Sequence, residues 1–257
     1  SLAPVAALLG ELLDCEVPLA PEVVGRSAEA LAWSLAPREV LCLENLRFHP
    51  GETACDEGFV AELVALADCY VDDAFGAVHR AHASVVGPPR ELPCAAGRLV
   101  EREVEVLSEV REAPERPFVV VLGGAKVSDK LGVIEALLER CDALLVGGAM
   151  AFTFLVAQGH DVGGSLVERD QVEHCRKLLE SGRVRVPTDV VVAAEIDASA
   201  EVTVVAADAM PTGLKGLDIG PVTADAYAAE LATAATVLWN GPMGVFELSP
   251  FAAGTRR

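Results

Sequence analysis

The sequence predicts an α/β protein built as two lobes of parallel sheet flanked by helices. Short apolar runs rich in Val and Leu alternate with Ala-, Leu- and Glu-rich stretches of helical period. That alternation is the pattern of a parallel sheet covered on both faces. It is broken by Glu112–Pro117 (E-A-P-E-R-P), where two prolines sit among charges and mark a domain junction. Residues 1–111 are therefore expected to form one lobe with its connecting helix, and residues 112–257 the other. At 52% hydrophobic and 23% charged, 257 residues supply enough apolar material for one large or two medium cores.

Strands are expected at Val40–Leu43, Cys69–Val71, Phe118–Leu122, Ala143–Val146, Val190–Ala193, Val202–Val205 and Thr236–Trp239. Helices are expected at Pro4–Leu13, Gly58–Leu66, Val100–Val110, Lys130–Arg140, Ala151–Ala157, Asp170–Leu179 and Ala224–Ala232. In the third of these, Val100, Val104, Leu107 and Val110 recur at three- and four-residue spacing and share one face. No internal repeat interrupts the series. The apolar runs, such as Phe118–Leu122, are far too short to span a bilayer, and no basic-then-apolar leader opens the chain.

A formal net charge of −19 argues against nucleic acid or an anionic membrane as partner, because both require a basic face. Most of that charge reads as a solvated acidic surface, and any anion site must be a local positive island. The lysines are few: Lys126, Lys130, Lys177 and Lys215. The seven cysteines are odd in number and lack C-x-x-C spacing, which argues against a disulfide framework or structural zinc site and suits a reducing cytoplasm.

The strongest local signal is Val119–Lys130, V-V-V-L-G-G-A-K-V-S-D-K. A buried strand ends in two glycines, turns, and enters a helix near Ser128 or Asp129. Glycines admit close approach to the backbone, the helix start offers N–H groups, and Lys126 and Lys130 add two charges. Neither G-x-x-x-x-G-K-[ST] nor G-x-G-x-x-G is present, so this is neither a Walker loop nor a dinucleotide fingerprint. A dehydrogenase reading falls with the latter. Leu144–Met150 (L-L-V-G-G-A-M) repeats the strand–Gly–Gly–helix plan. Such glycines either clear a floor for a nucleotide at the strand ends or permit close packing. Val237–Glu247 (V-L-W-N-G-P-M-G-V-F-E) makes a third unusual strand end, where Glu247 is either a ribose acceptor or a surface carboxylate.

In the first lobe, L-C-L-E-N-L-R-F-H (Leu41–His49) and Y-V-D-D-A-F-G-A-V-H-R-A-H-A-S (Tyr70–Ser84) each leave an apolar run for Arg and His. Arg47 and Arg80 suit carboxylate or phosphate binding, with surface pairing an equal alternative. For His49, His79 and His82 a hydrogen-bonded structural role is expected, since no third metal ligand accompanies them.

Taken in order, E-N-L-R-F-H, D-A-F-G-A-V-H-R-A-H-A-S, G-G-A-K-V-S-D-K, G-G-A-M-A-F-T-F-L, G-L-D-I-G-P and W-N-G-P-M-G-V-F-E resemble the phosphoglycerate kinase family from Ser1 to Arg257. The resemblance implies a phosphoglycerate-binding lobe, a lobe for Mg-ADP or Mg-ATP, and hinge closure for direct transfer between them. It implies that Arg47 and Arg80 hold phosphoglycerate, that Lys126 lies at the transferred phosphoryl group as the catalytic lysine, and that Lys130, Gly148, Gly216 and Glu247 bind nucleotide. It further implies small-molecule substrates and a monomeric parent. The family's amino-terminal substrate segment and its Gly-rich phosphate and Mg2+ segment have no counterpart here, so both lobes are expected to be truncated, with no metal ligand in the chain, and the chain inactive alone. A non-catalytic nucleotide-binding remnant is the alternative. At Thr212–Lys215 the sequence reads T-G-L-K, where family members commonly carry an aromatic residue.

Overall fold

A computed structural model describes residues 1–257. The chain divides into two compact units, Ser1–Leu107 and Ser108–Arg257.

The first unit contains α1 (Ala3–Leu13), α2 (Arg26–Ser34), α3 (Pro50–Ala54), α4 (Glu57–Val64), β1 (Tyr70–Asp72), α5 (Ala83–Val86), α6 (Pro88–Glu91), β2 (Cys94–Ala96) and the start of α7 (Arg98–Glu112). The division between the units falls inside α7, upstream of Glu112–Pro117. Strands β1 and β2 pair in parallel, Tyr70 opposite Cys94. A small core gathers Val23, Val24, Phe59 and Ala83, with Leu46, Val60, Leu63 and Leu66 against it. The expected strand at Val40–Leu43 is reduced to one parallel bridge between Leu19 and Cys42. Its residues are only half-buried, and extended backbone without a continuous partner is not a strand. Within α7, Val104 (52% exposed) and Leu107 (42%) stay largely open, while Val110 packs against the second unit's core.

The second unit is a three-layer sandwich. Its central sheet is parallel, in the order β5 (Val184–Arg185), β4 (Ala143–Val146), β3 (Phe118–Leu122), β9 (Thr236–Asn240). Strands β3 and β4 are buried along their whole length, as continuous Val/Leu runs must be when helices cover both faces. Alternation sorts their side chains. Phe118, Val120 and Leu122 meet α8 (Leu131–Leu138), α9 (Met150–Ala157) and α10 (Val172–Leu179) through Ile134, Phe154 and Leu178. Val119 and Val121 face the other way, onto Ala224 and Tyr227 of α11 (Pro221–Leu231).

A second sheet departs from the expected pattern. Strands β6 (Asp189–Ala193), β7 (Thr203–Ala206) and β8 (Lys215–Ile219) are antiparallel, in the order β7-β6-β8. No helical pattern separates these strands, so each returns by a loop and antiparallel pairing results. Strand β8 escapes the sequence pattern because Lys215, Gly216 and Asp218 break its apolar run. After β9, Phe251 is fully buried with Val191, Ala193 and Leu217, which fixes the approach to α12 (Ala253–Arg256). No helix is long and apolar enough to cross a membrane, and all seven cysteines are free thiols.

The start of α11 is held by Asp189 of β6. Its carboxylate accepts from Val222 N (3.0 Å), Thr223 N (2.7 Å) and Thr223 Oγ1 (2.6 Å) in a buried setting. Replacing Asp189 by Ala would leave these donors unsatisfied. We expect urea unfolding monitored by circular dichroism to show a loss of about 2–4 kcal/mol, the cost of a lost cap plus buried unpaired N–H groups.

Candidate functional site: a glycine-floored cleft

Three strand ends of the second unit converge on one cleft of about 790 Å³. Gly124 and Ala125 line it after β3, Gly148 and Ala149 after β4, and Pro242, Gly244, Val245 and Glu247 after β9. Gly164–Val167, Ile196 and Lys215–Leu217 complete the wall. The cleft is of small-ligand size and mostly apolar, and it sits at the carboxyl ends of parallel strands, where open α/β sheets bind ligands.

The glycines are there first of all because the three turns touch backbone to backbone. A Cβ on Gly123 would stand 1.9 Å from the Pro242 carbonyl oxygen. One on Gly148 would stand 2.6 Å from both the nitrogen and the oxygen of Gly124, and one on Gly241 would stand 2.4 Å from Gly123 O. Gly148 and Gly241 also have φ values of +64° and +85°, which side chains disfavour. Hydrogen bonds complete the interlock: Gly123 N donates to Asn240 O (2.9 Å), Met150 N to Gly124 O (3.0 Å), and Gly148 N to Met243 O (2.8 Å). Close packing and a side-chain-free floor are thus the same feature. Farther along the wall, Gly216 makes room for the Phe152 ring, which a Cβ would meet at 2.0 Å, and its N–H donates to Ser165 Oγ (2.9 Å).

Lys130 reaches back to the strand ends. Its Nζ donates to Gly123 O, to Asn240 Oδ1 (2.6 Å) and to Asn240 O (3.3 Å). Burial pushes its pKa below the usual lysine range, against the pull of Asp129. Lys126 is exposed on the same loop. Lys215 lines the cleft and lies 3.8 Å from Glu195 Oε2. Sequence reasoning does not single it out as a site residue, although with four lysines in the chain each is informative. Glu247 lines the cleft and is otherwise exposed. The structure therefore brings Gly148, Gly216 and Glu247 to one cleft, with Lys130 at the strand ends behind it and Lys126 beside it.

The N–H groups at the start of the 3-10 turn Ser128–Lys130 are not free, contrary to the sequence expectation of a helix start open to phosphate. Glu168 fills that place. Its carboxylate accepts from Val127 N (2.5 Å), Ser128 N (3.1 Å) and Ser128 Oγ (2.5 Å). Partial burial acts to raise its pKa, but the bonds from Ser128 and Val127 outweigh this and hold it below the ordinary range. A carboxylate here satisfies the turn much as an anion would. Sequence distance hides the pairing.

In the first unit, Arg47 and Arg80 are exposed, Arg47 within the short turn Leu46–Phe48 and Arg80 just after the turn Phe75–Ala77. His49 has the structural role expected: its Nδ1 accepts from Gly51 N (3.1 Å) and its ring stacks on Phe59 at 4.4 Å. Glu52, only 3% exposed, has no signal in the sequence. It accepts from Ser84 N (2.9 Å) and Ser84 Oγ (2.6 Å), and His82 Nδ1 lies 3.8 Å away. Glu52 thereby ties down the end of the loop that carries His79 and Arg80. No three His, Cys, Asp or Glu side chains converge as a metal site.

The sequence matches the family model for phosphoglycerate kinase over residues 1–257. The chain belongs to the phosphoglycerate kinase family. It is 58% identical to the phosphoglycerate kinases of Frankia casuarinae and Salinispora tropica, covering 100% of this chain and 66% of each relative. It therefore spans just under two thirds of those relatives. Among solved structures, the Coxiella burnetii phosphoglycerate kinase superposes with a TM-score of 0.79 at 40% identity, over 100% of this chain and 66% of that one. The Pyrococcus horikoshii phosphoglycerate kinase gives 0.86 at 34% identity, over 99% and 67%. The family fold is thus present as a piece, α/β with parallel sheets flanked by helices.

Two substitutions probe the cleft and the buried support behind it. Gly148→Ala drives a Cβ into Gly124 and should lower stability in urea by about 2–3 kcal/mol. Asp218, 3% exposed beneath Gly244, has its pKa raised to about 6 by burial, despite bonds from Gly254 N and Ile219 N. The folded chain then holds this proton more tightly than the unfolded chain. Its contribution to stability is full below the ordinary aspartate range and declines as pH rises to about 6. Asp218→Asn should remove that decline, which melting temperatures measured between about pH 4 and 7 would reveal as a flatter profile.

Proposed function

We propose that the protein of which this chain is the greater part is a phosphoglycerate kinase, moving a phosphoryl group reversibly between 1,3-bisphosphoglycerate and ADP to give ATP and 3-phosphoglycerate. The cleft of the second unit carries this reading: a glycine floor at three parallel strand ends, an apolar wall of base size, and lysines at the margin of an otherwise acidic protein. Residues 112–257 are assigned to the nucleotide lobe and residues 1–111 to the phosphoglycerate lobe. In the former, the base lies along Gly216 and Leu217, the ribose hydroxyls donate to Glu247, and Gly148 leaves room for the phosphates. Lys130 exchanges a carbonyl partner for a phosphate oxygen. Lys126, free in solvent, neutralises charge on the transferred group. In the first unit, Arg47 and Arg80 grip the acid and its phosphate with planar, bidentate guanidinium groups. Phosphoryl transfer between two bound anions needs alignment and positive charge rather than a covalent nucleophile, which fits a site without a triad.

Mg2+ accompanies adenine nucleotides in such chemistry. No set of three acidic or His/Cys side chains converges to hold it without the nucleotide. Mg2+ commonly relies on substrate phosphates for much of its coordination.

Two measurements test the reading. Calorimetry with ADP should show binding to the 257-residue chain, weakened about tenfold in Lys130→Ala by loss of one charge-assisted bond. A chimera completed with the remaining segments of the Frankia casuarinae relative should form ATP from bisphosphoglycerate and ADP. In that chimera Lys126→Ala should lower kcat by at least about 100-fold while ADP affinity holds. A folded chimera without activity overturns the assignment.

A further inference from the structure

The third glycine turn is anchored from outside the cleft, and Met243 is where the anchor attaches. Its backbone oxygen accepts from Gly148 N (2.8 Å), which ties it to the turn after β4. Its side chain, 2% exposed, lies where Cβ atoms on Gly147 or Gly123 would collide with its sulfur or methyl at 2.4 and 2.8 Å. Its N–H points away from the cleft and donates to Thr255 Oγ1 (2.9 Å).

Thr255 is itself located by two neighbours. Gly254 N donates to the buried Asp218 Oδ2 (2.8 Å), while Asp218 Oδ1 accepts from Ile219 N (2.9 Å) at the end of β8. The approach is close enough that a Cβ on Gly254, or on Gly244 of the turn, would stand 2.4 Å from Asp218 Oδ1. Phe251, fully buried, pins the preceding residues. A continuous line of short contacts thus runs from Asp218 through Gly254 and Thr255 to Met243, and from Met243 to the glycine floor.

We propose that Thr255 and Asp218 are positioning residues for nucleotide binding: they set the Gly241–Gly244 turn at the height the cleft requires, without touching the ligand. Neither residue lines the cleft. Without its acceptor, the Met243 N–H is a donor lacking a partner in a half-buried place, and the turn is free to move off the floor. Apparent affinity then falls by the fraction of molecules that keep the competent turn. The inference rests on the proposed nucleotide role of this cleft.

The test uses ADP and the 257-residue chain. Thr255→Val preserves shape and removes the acceptor. It should weaken ADP binding about fivefold, the scale of one hydrogen bond. Thr255→Ser keeps the oxygen and should restore wild-type affinity. Amide exchange at Met243 should be fast in Thr255→Val, and in the wild type should slow further with ADP. If the wild type binds no ADP, the nucleotide reading itself fails. If the wild type binds and Thr255→Val binds equally well, or if Thr255→Ser is as weak as Thr255→Val, the positioning role is overturned. Should Thr255→Val not fold, the wild-type exchange at Met243 decides: no slowing with ADP rejects the coupling.

Discussion

Three backbone turns packed against one another without intervening side chains are the constraint on which the second unit depends. Strands β3, β4 and β9 lie side by side in a parallel sheet at a spacing set by hydrogen bonding, so their ends arrive together. The chain leaving each strand must turn away within the same small volume. Gly123, Gly148 and Gly241 allow this by letting carbonyl oxygens approach to where a Cβ would stand. Once the turns interlock, they leave a hollow lined at the three strand ends by Gly124, Gly148 and Gly244. The hollow is therefore a consequence of the packing.

Backbone N–H groups at turns and helix starts need partners, and this acidic chain supplies carboxylates. Glu168 satisfies the turn after β3, Asp189 the start of α11, Asp218 the N–H groups of Ile219 and Gly254, and Glu52 the N–H and hydroxyl of Ser84. Most of these pin a loop to an element distant in sequence. Part of the net charge of −19 is thus internal, engaged with oriented N–H groups that lower the cost of burial. Asp218 marks the limit of this device: two donors do not offset its desolvation, and its pKa stays raised.

Much of the second unit is legible in the sequence because its signals are local. Phe118–Leu122 and Ala143–Val146 declare buried parallel strands by their unbroken apolar runs, and the glycine pairs after them mark the cleft. Strand β8 is hidden because Lys215 lines the cleft, Gly216 yields to Phe152, and Asp218 is an internal anchor; a strand with three such duties keeps little apolar pattern. Glu168 and Glu52 are illegible for a different reason. Their partners lie far along the chain, and a glutamate destined for a buried clamp looks the same as one on the surface. Val104 and Leu107 show the converse, a sound helical period whose face is largely open here.

The partners of Lys130 show how such a site keeps its charge. A lysine at crowded strand ends loses hydration, and burial lowers its pKa accordingly. A carboxylate partner would offset that loss, but would also neutralise the ammonium. Gly123 O and Asn240 instead offer carbonyl dipoles, which hold the ammonium in place without a direct ion pair. Nearby, the carboxylate of Glu168 is turned onto Val127 and Ser128, where N–H dipoles occupy it. Anion and cation are thus each held by backbone or polar neutral groups rather than by each other. In a protein with nearly twice as many acidic as basic residues, that separation keeps the Lys130 ammonium out of a direct ion pair.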